Sequence, residues 1–130
     1  VVKSGSDVTI VSFGKMMKVA NQAADELVKE GTDAEVIDLR SVRPIDYHSI
    51  IESVKKTNRL VIVEEAWPLA SISSEISHHV QRNAFDWLDA PIHRITNKDV
   101  SLPYAPTLIE EVLPNPKRVI DAVNAVTYQA

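Results

Sequence analysis

The chain has no cysteine and only three glycines in 130 residues, and aromatic residues make up 5% of it. Without cysteine there is no disulfide, no thiolate nucleophile and no zinc site of the thiolate type, a composition that suits a reducing cytosol. The three glycines assemble neither GxGxxG nor GxxxxGK[ST], so a glycine-rich phosphate cradle is excluded even though Lys15 follows Gly14. No GxSxG elbow accompanies the many serines, which disfavours a hydrolase. No apolar run approaches the ~18 residues of a spanning helix, and no signal peptide is visible. The longest basic cluster, Lys55, Lys56 and Arg59, is too short to follow a nucleic-acid backbone, and the formal charge is −4. Membrane and nucleic acid are therefore not expected partners.

What is present is an ordinary globular balance, 45% hydrophobic and 25% charged, in a length that suits one domain with one sizeable core. The chain starts on Val1 rather than methionine, and is expected to be a fragment of something longer. The run VTIVSF at 8–13 predicts a strand, and Met16, Ala20, Ala23, Ala24 and Leu27 follow at helical spacing. Gly31 stands where a left-handed helix cap belongs, and AEVIDL resumes the strand pattern. Asp46 predicts the N-cap of a second helix with Ile50, Ile51 and Val54 on its buried face, closed by Asn58. RLVIVEE predicts a third strand, and Ile72, Ile76 and Val80 a third helix. In PIHRIT the apolar residues are interrupted by His93 and Arg94, as suits an edge strand. Asn115 and Pro116 open a final helix bearing Val119, Ile120, Val123 and Val126. Strands alternating with helices predict a three-layer α/β/α domain with a mainly parallel sheet.

Ligands of such sheets sit beyond the carboxyl ends of the strands, a rim that here holds Gly14, Lys15, Arg40, Arg43, Glu64 and Glu65. Glu64 and Glu65 could act as general acid and base, but neighbours on a strand point to opposite faces. An ion-pair network with Arg40 or Arg43 is the favoured reading. Glu75 and His79 lie one turn apart and could clamp zinc, although a solvent-facing helix pair is the simpler account. Trp67, beside Pro68 at a strand end, is either an interface anchor or a cap on its own core. A small-anion site at Lys15, Arg40 and Arg43 is the alternative that treats the chain as a free-standing binding domain.

In order, the segments DVTIVSFG, AEVIDLRSVRPID, RLVIVEEAWP, SSEI, FDWLDAPIHRIT and DVSLPYA resemble the transketolase C-terminal family, in the form carried by pyruvate dehydrogenase β subunits. The resemblance spans essentially the whole chain, and DLRSVRPID, LDAP and DVSLPYA are its most specific pieces. It implies a five-stranded mixed sheet whose antiparallel strand includes VVK at the start. It implies a parent enzyme of α2β2 architecture that uses thiamine diphosphate and magnesium to decarboxylate pyruvate and acetylate a lipoyl group. Branched-chain 2-oxo acid and acetoin dehydrogenases share that architecture and are alternatives.

In the family the cofactor is held by other domains through a GDG motif and a distant glutamate, and no GD dipeptide occurs here. No catalytic, cofactor or metal residue is therefore expected in this segment. The role implied is assembly: contact with a second β subunit and with α subunits, and docking of the peripheral subunit-binding domain of a dihydrolipoyl acetyltransferase. Asp89, in the LDAP position, is the implied docking carboxylate, with the terminal carboxylate of Ala130 as a second contact. Read without the family, Asp89 simply starts a turn before Pro91. The implied location is the cytoplasm of a bacterium or the mitochondrial matrix of a eukaryote.

Overall fold

A computed structural model describes residues 1–40, 45–65, 72–96 and 114–128. Strand β1 (Val8–Ser12) leads into helix α1 (Met16–Lys29), then β2 (Ala34–Asp38), α2 (Tyr47–Thr57) and β3 (Leu60–Val63). Helix α3 (Ile72–Ala84) continues into a single 3-10 turn (Phe85–Trp87), and β4 (His93–Ile95) and α4 (Pro116–Val126) complete the described elements.

The strands form one parallel sheet in the order β2-β1-β3-β4, with Ile10 opposite Val36 on one side and Val61 on the other. Alternation along the strands sends Val8, Ile10, Ala34, Val36, Val61 and Val63 to one face, where they pack against α1 and α4. Val11, Ile37, Leu60 and Ile62 go to the other face, against α2 and α3. Both faces are covered, which is why VTIV and LVIV read as solid apolar runs. The residues cast as buried helix faces are the ones that pack: Ala20, Ala23, Ala24 and Leu27 of α1, and Val119, Val123 and Val126 of α4, are at most 1% exposed.

The five-stranded mixed sheet is corrected to four parallel strands among the described residues. The first residues do run antiparallel to β2, but only as one bridge, Lys3 opposite Val36, with the Val36 amide donating to the Lys3 carbonyl at 2.8 Å. The reason is short reach. Beyond Lys3 the chain turns through the buried Gly5, whose missing Cβ would lie 2.3 Å from the Ala34 carbonyl carbon, so the segment presses on the head of β2 instead of pairing along it.

The helix ends follow the predicted chemistry. Asp46 accepts from the Ser49 amide at 3.2 Å, and Asn115 accepts from the Arg118 amide at 3.0 Å. After α1, Gly31 at φ +85° lets the Thr32 amide reach back to the Leu27 carbonyl at 2.9 Å. After α2, Asn58 takes the same left-handed conformation at φ 65°.

Candidate functional site

At the carboxyl end of the sheet, Lys15, Arg40, Glu64 and Glu65 follow β1, β2 and β3 as expected, but they do not form one network. Glu64 is 5% exposed, and its two oxygens accept from the Ile72 and Ser73 amides at 3.1 and 2.9 Å. It caps α3 from the end of β3. The first amides of a helix have no partner within the helix and carry its positive dipole end, so a buried carboxylate is stabilised there without a side-chain cation. This corrects the expected pairing with Arg40: no ion pair joins the two among the described residues. Arg40 and Glu65 are exposed.

Arg43, Trp67, Pro68 and Ala130 lie outside the described residues. The hollow of about 310 Å3 beside Arg40 is also lined by Asp38 and Asp46, carboxylates that oppose a small anion. His79 stacks on Tyr47 with ring centroids 3.8 Å apart, and no group of three or more His, Asp or Glu among the described residues is placed to hold a metal.

The amino end of the sheet is built differently. Asp89 stands in the turn before β4, and its amide donates to the Asn58 carbonyl at 2.8 Å. Asn58 returns its side-chain amide to the Trp87 carbonyl at 2.7 Å, and the Tyr128 hydroxyl donates to the Asp89 carbonyl at 3.0 Å. Arg59 reaches the Val126 carbonyl through Nε at 3.1 Å and the Asp7 carbonyl through Nη1 at 3.2 Å. Its Nη2 stands 4.0 Å from the Asp89 carboxylate, at the edge of ion pairing.

The Asp89 side chain remains 58% exposed. Around it Phe85, Trp87 and Tyr128 are 68%, 47% and 73% exposed, and a depression of about 360 Å3 lies between Phe85, Asp89, Ile92 and Tyr128. An exposed carboxylate thus stands on a backbone-tied turn with exposed aromatic residues beside it.

A second polar cluster at this end escaped sequence reasoning. Glu35 of β2 is 4% exposed, receives Lys56 at 2.6 Å and the Ser53 hydroxyl, and takes the Gly5 amide at 3.4 Å. Thr9 of β1 touches the Ser53 and Thr57 hydroxyls at 2.6 and 2.7 Å, and Thr57 lies 3.0 Å from the Arg59 carbonyl. Burial raises the Glu35 pKa, but the hydrogen bonds from Lys56, Ser53 and Gly5 with the Lys56 charge outweigh it, so the carboxyl sits below the ordinary glutamate value.

With Glu35 ionised, Ser53 donates to the carboxylate and Thr57 to the Arg59 carbonyl, so the single Thr9 hydroxyl proton serves either Ser53 or Thr57. The Arg59 carbonyl also takes the Thr9 amide at 2.9 Å. The available signal was polar residues at inward positions: Thr9 and Glu35 interrupt the apolar alternation, and Ser53 and Thr57 lie four apart on the buried face of α2.

A four-stranded parallel sheet in this order, covered on both sides by helices, defines a three-layer α/β/α domain. The family model for the transketolase C-terminal domain matches residues 1–119, and the chain belongs to that family. Among the relatives it resembles, the pyruvate dehydrogenase E1 component subunit beta of Rhizobium meliloti is 53% identical over 98% of this chain and 28% of its own length. The mitochondrial pyruvate dehydrogenase E1 component subunit beta of Dictyostelium discoideum is 46% identical, over 99% of this chain and 36% of its own. The chain thus spans about a third of the curated relatives it matches. Among solved structures, a split-gene transketolase described as an inactive beta4 tetramer superposes with a TM-score of 0.88 at 30% identity, over 98% of this chain and 41% of that one.

Proposed function

We propose that this chain is the assembly and docking domain of the β subunit of a thiamine-diphosphate-dependent pyruvate dehydrogenase, and that Asp89 is its docking carboxylate. The observation that carries the reading is the Asp89 surface: a 58% exposed carboxylate, on a turn tied through its own amide and carbonyl, with Phe85, Trp87 and Tyr128 exposed beside it. The 53% identity to a named pyruvate dehydrogenase β subunit supports the choice of parent enzyme over branched-chain or acetoin relatives.

The occupant is the peripheral subunit-binding domain of the acyltransferase, through basic side chains. An exposed carboxylate meeting such cations orients the encounter and speeds it, in a salt-sensitive way. Tyr128 stands beside Asp89, which supports a second contact through Ala130. Arg40 and Glu65, near the opposite end of the sheet, are proposed to face, together with Arg43, Trp67 and Pro68, the second β subunit and the α subunits of an α2β2 assembly. Glu64 contributes there by holding α3 in place.

Thiamine diphosphate and magnesium do not fit the residues present: no metal-binding cluster occurs among the described residues and no glycine-rich phosphate loop in the sequence. No chemical step is assigned to this chain, and the cofactor belongs to the remainder of the parent enzyme. No helix among the described residues is long and apolar enough to cross a membrane. The proposed location is the cytoplasm in a bacterium and the mitochondrial matrix in a eukaryote.

The test is titration of the assembled α2β2 enzyme with the isolated subunit-binding domain by calorimetry across a salt series. Asp89→Lys is expected to abolish measurable binding. Undiminished affinity in that variant would reject the docking role.

A further inference from the structure

The neighbouring Asn58 and Arg59, at the α2–β3 junction, make more connections to the Asp89 surface than a helix end requires. Asn58 alone accounts for two of them, taking the Asp89 amide on its carbonyl and giving its side-chain amide to Trp87. Arg59 holds the end of α4 through Val126 and the entry to β1 through Asp7, and still presents a nitrogen 4.0 Å from the Asp89 carboxylate. Three segments distant in sequence therefore meet at these two consecutive residues: the start of β1, the 85–89 turn and the end of α4.

We propose that Asn58 and Arg59 are positioning residues for docking. This rests on the docking role of Asp89 and concerns how that carboxylate is held. The carbonyl groups occupy the Arg59 head, so the guanidinium is held in place and does not close fully on Asp89. The carboxylate keeps free lone pairs for an incoming cation, while the turn beneath it is fixed through backbone bonds to Asn58 and Tyr128. Preorganisation of this kind lowers the ordering cost of association and acts mainly on the dissociation rate, whereas the exposed charge acts on the association rate.

Asn58→Asp separates the two roles. Aspartate tolerates the left-handed backbone of position 58 and keeps its carbonyl, but it cannot donate to Trp87 and repels that carbonyl instead. In the assembled α2β2 enzyme titrated with the subunit-binding domain, this variant is expected to dissociate about tenfold faster, while its added negative charge raises the association rate and steepens the salt slope. Hydrogen exchange at residues 87–89 is expected to rise in parallel. Asn58→Gly, which adds no charge and accepts φ 65° without strain, is expected to dissociate faster to a smaller extent, with association rate and salt slope near unchanged. If Asp89→Lys abolishes binding while both Asn58 variants dissociate like the parent, positioning is refuted and docking survives. Faster dissociation without a rise in exchange at 87–89 also refutes it. If Asp89→Lys binds normally, docking itself fails.

Discussion

Two carboxylates, Glu35 and Glu64, are buried almost equally, at 4% and 5% exposure, at opposite ends of one sheet, and they are stabilised by different means. Glu64 is served by backbone alone, the two opening amides of α3. Glu35 gathers an ammonium and a hydroxyl from α2 and a backbone amide from the chain before β1. The difference shows what each end of the sheet contributes. At the carboxyl end, burial of charge organises one helix start; at the amino end, charge and hydroxyls tie β1, β2 and α2 together below the Asn58–Arg59 junction, which in turn carries the Asp89 surface. The proposed docking surface therefore stands over the end that is the more cross-linked among the described residues.

The sharpest way to break this contrast is Glu35→Ala. Lys56 is 45% exposed and returns to water, but the Ser53 hydroxyl and the Gly5 amide lose their acceptor in the interior. A loss of about 2–3 kcal/mol in urea unfolding is expected. Thr9→Val comes next, at about 1–2 kcal/mol, because it removes the hydroxyl that joins Ser53 to Thr57 while keeping the β-branched shape. Glu64→Gln retains an acceptor for one amide and forfeits the charge, so about 1 kcal/mol is expected. Should the Glu64 variant prove the most destabilised of the three, the two ends would have been ranked wrongly.

The smallest effect is in the acid limb of the stability curve. Because the folded Glu35 carboxyl lies below the ordinary value of 4.5, its contribution is full above that value and lost as pH falls from there through the folded pKa. Glu35→Gln is expected to flatten stability against pH in that window, measured by denaturation at a series of acidic pH values. An unchanged slope would mean that the Lys56 and Ser53 bonds do not favour the ionised form.

Most of the architecture was legible because it rests on local periodicity. The solid apolar runs VTIV and LVIV, the i, i+4 spacing of Ile72, Ile76 and Val80, and the capping chemistry of Asp46, Asn58 and Asn115 each involve a few neighbouring residues. The number of strands was not legible in the same way, since whether 1–3 pair as a strand or as one bridge depends on where Gly5 meets Ala34, far along the chain. Lys15, Arg40, Glu64 and Glu65 follow the strand ends as expected, but the partners of Glu64 were not foreseen. Glu64 was expected to pair with Arg40 or Arg43; it takes the amides of a helix that begins eight residues later and forms no ion pair with Arg40, while Arg43 lies outside the described residues.

By itself the sequence determined the layers, the helix boundaries and the absence of phosphate-loop and thiolate chemistry, because these depend on residue type and short-range spacing. Only the tertiary structure decided which carboxylates are buried, which partners neutralise them, and that Asn58, Arg59, Asp89 and Tyr128 share one surface. Those contacts join residues up to 67 positions apart, as between Arg59 and Val126, and their geometry follows from how the helices settle on the sheet. Periodicity encodes which face is apolar; it carries no record of the opposing atoms.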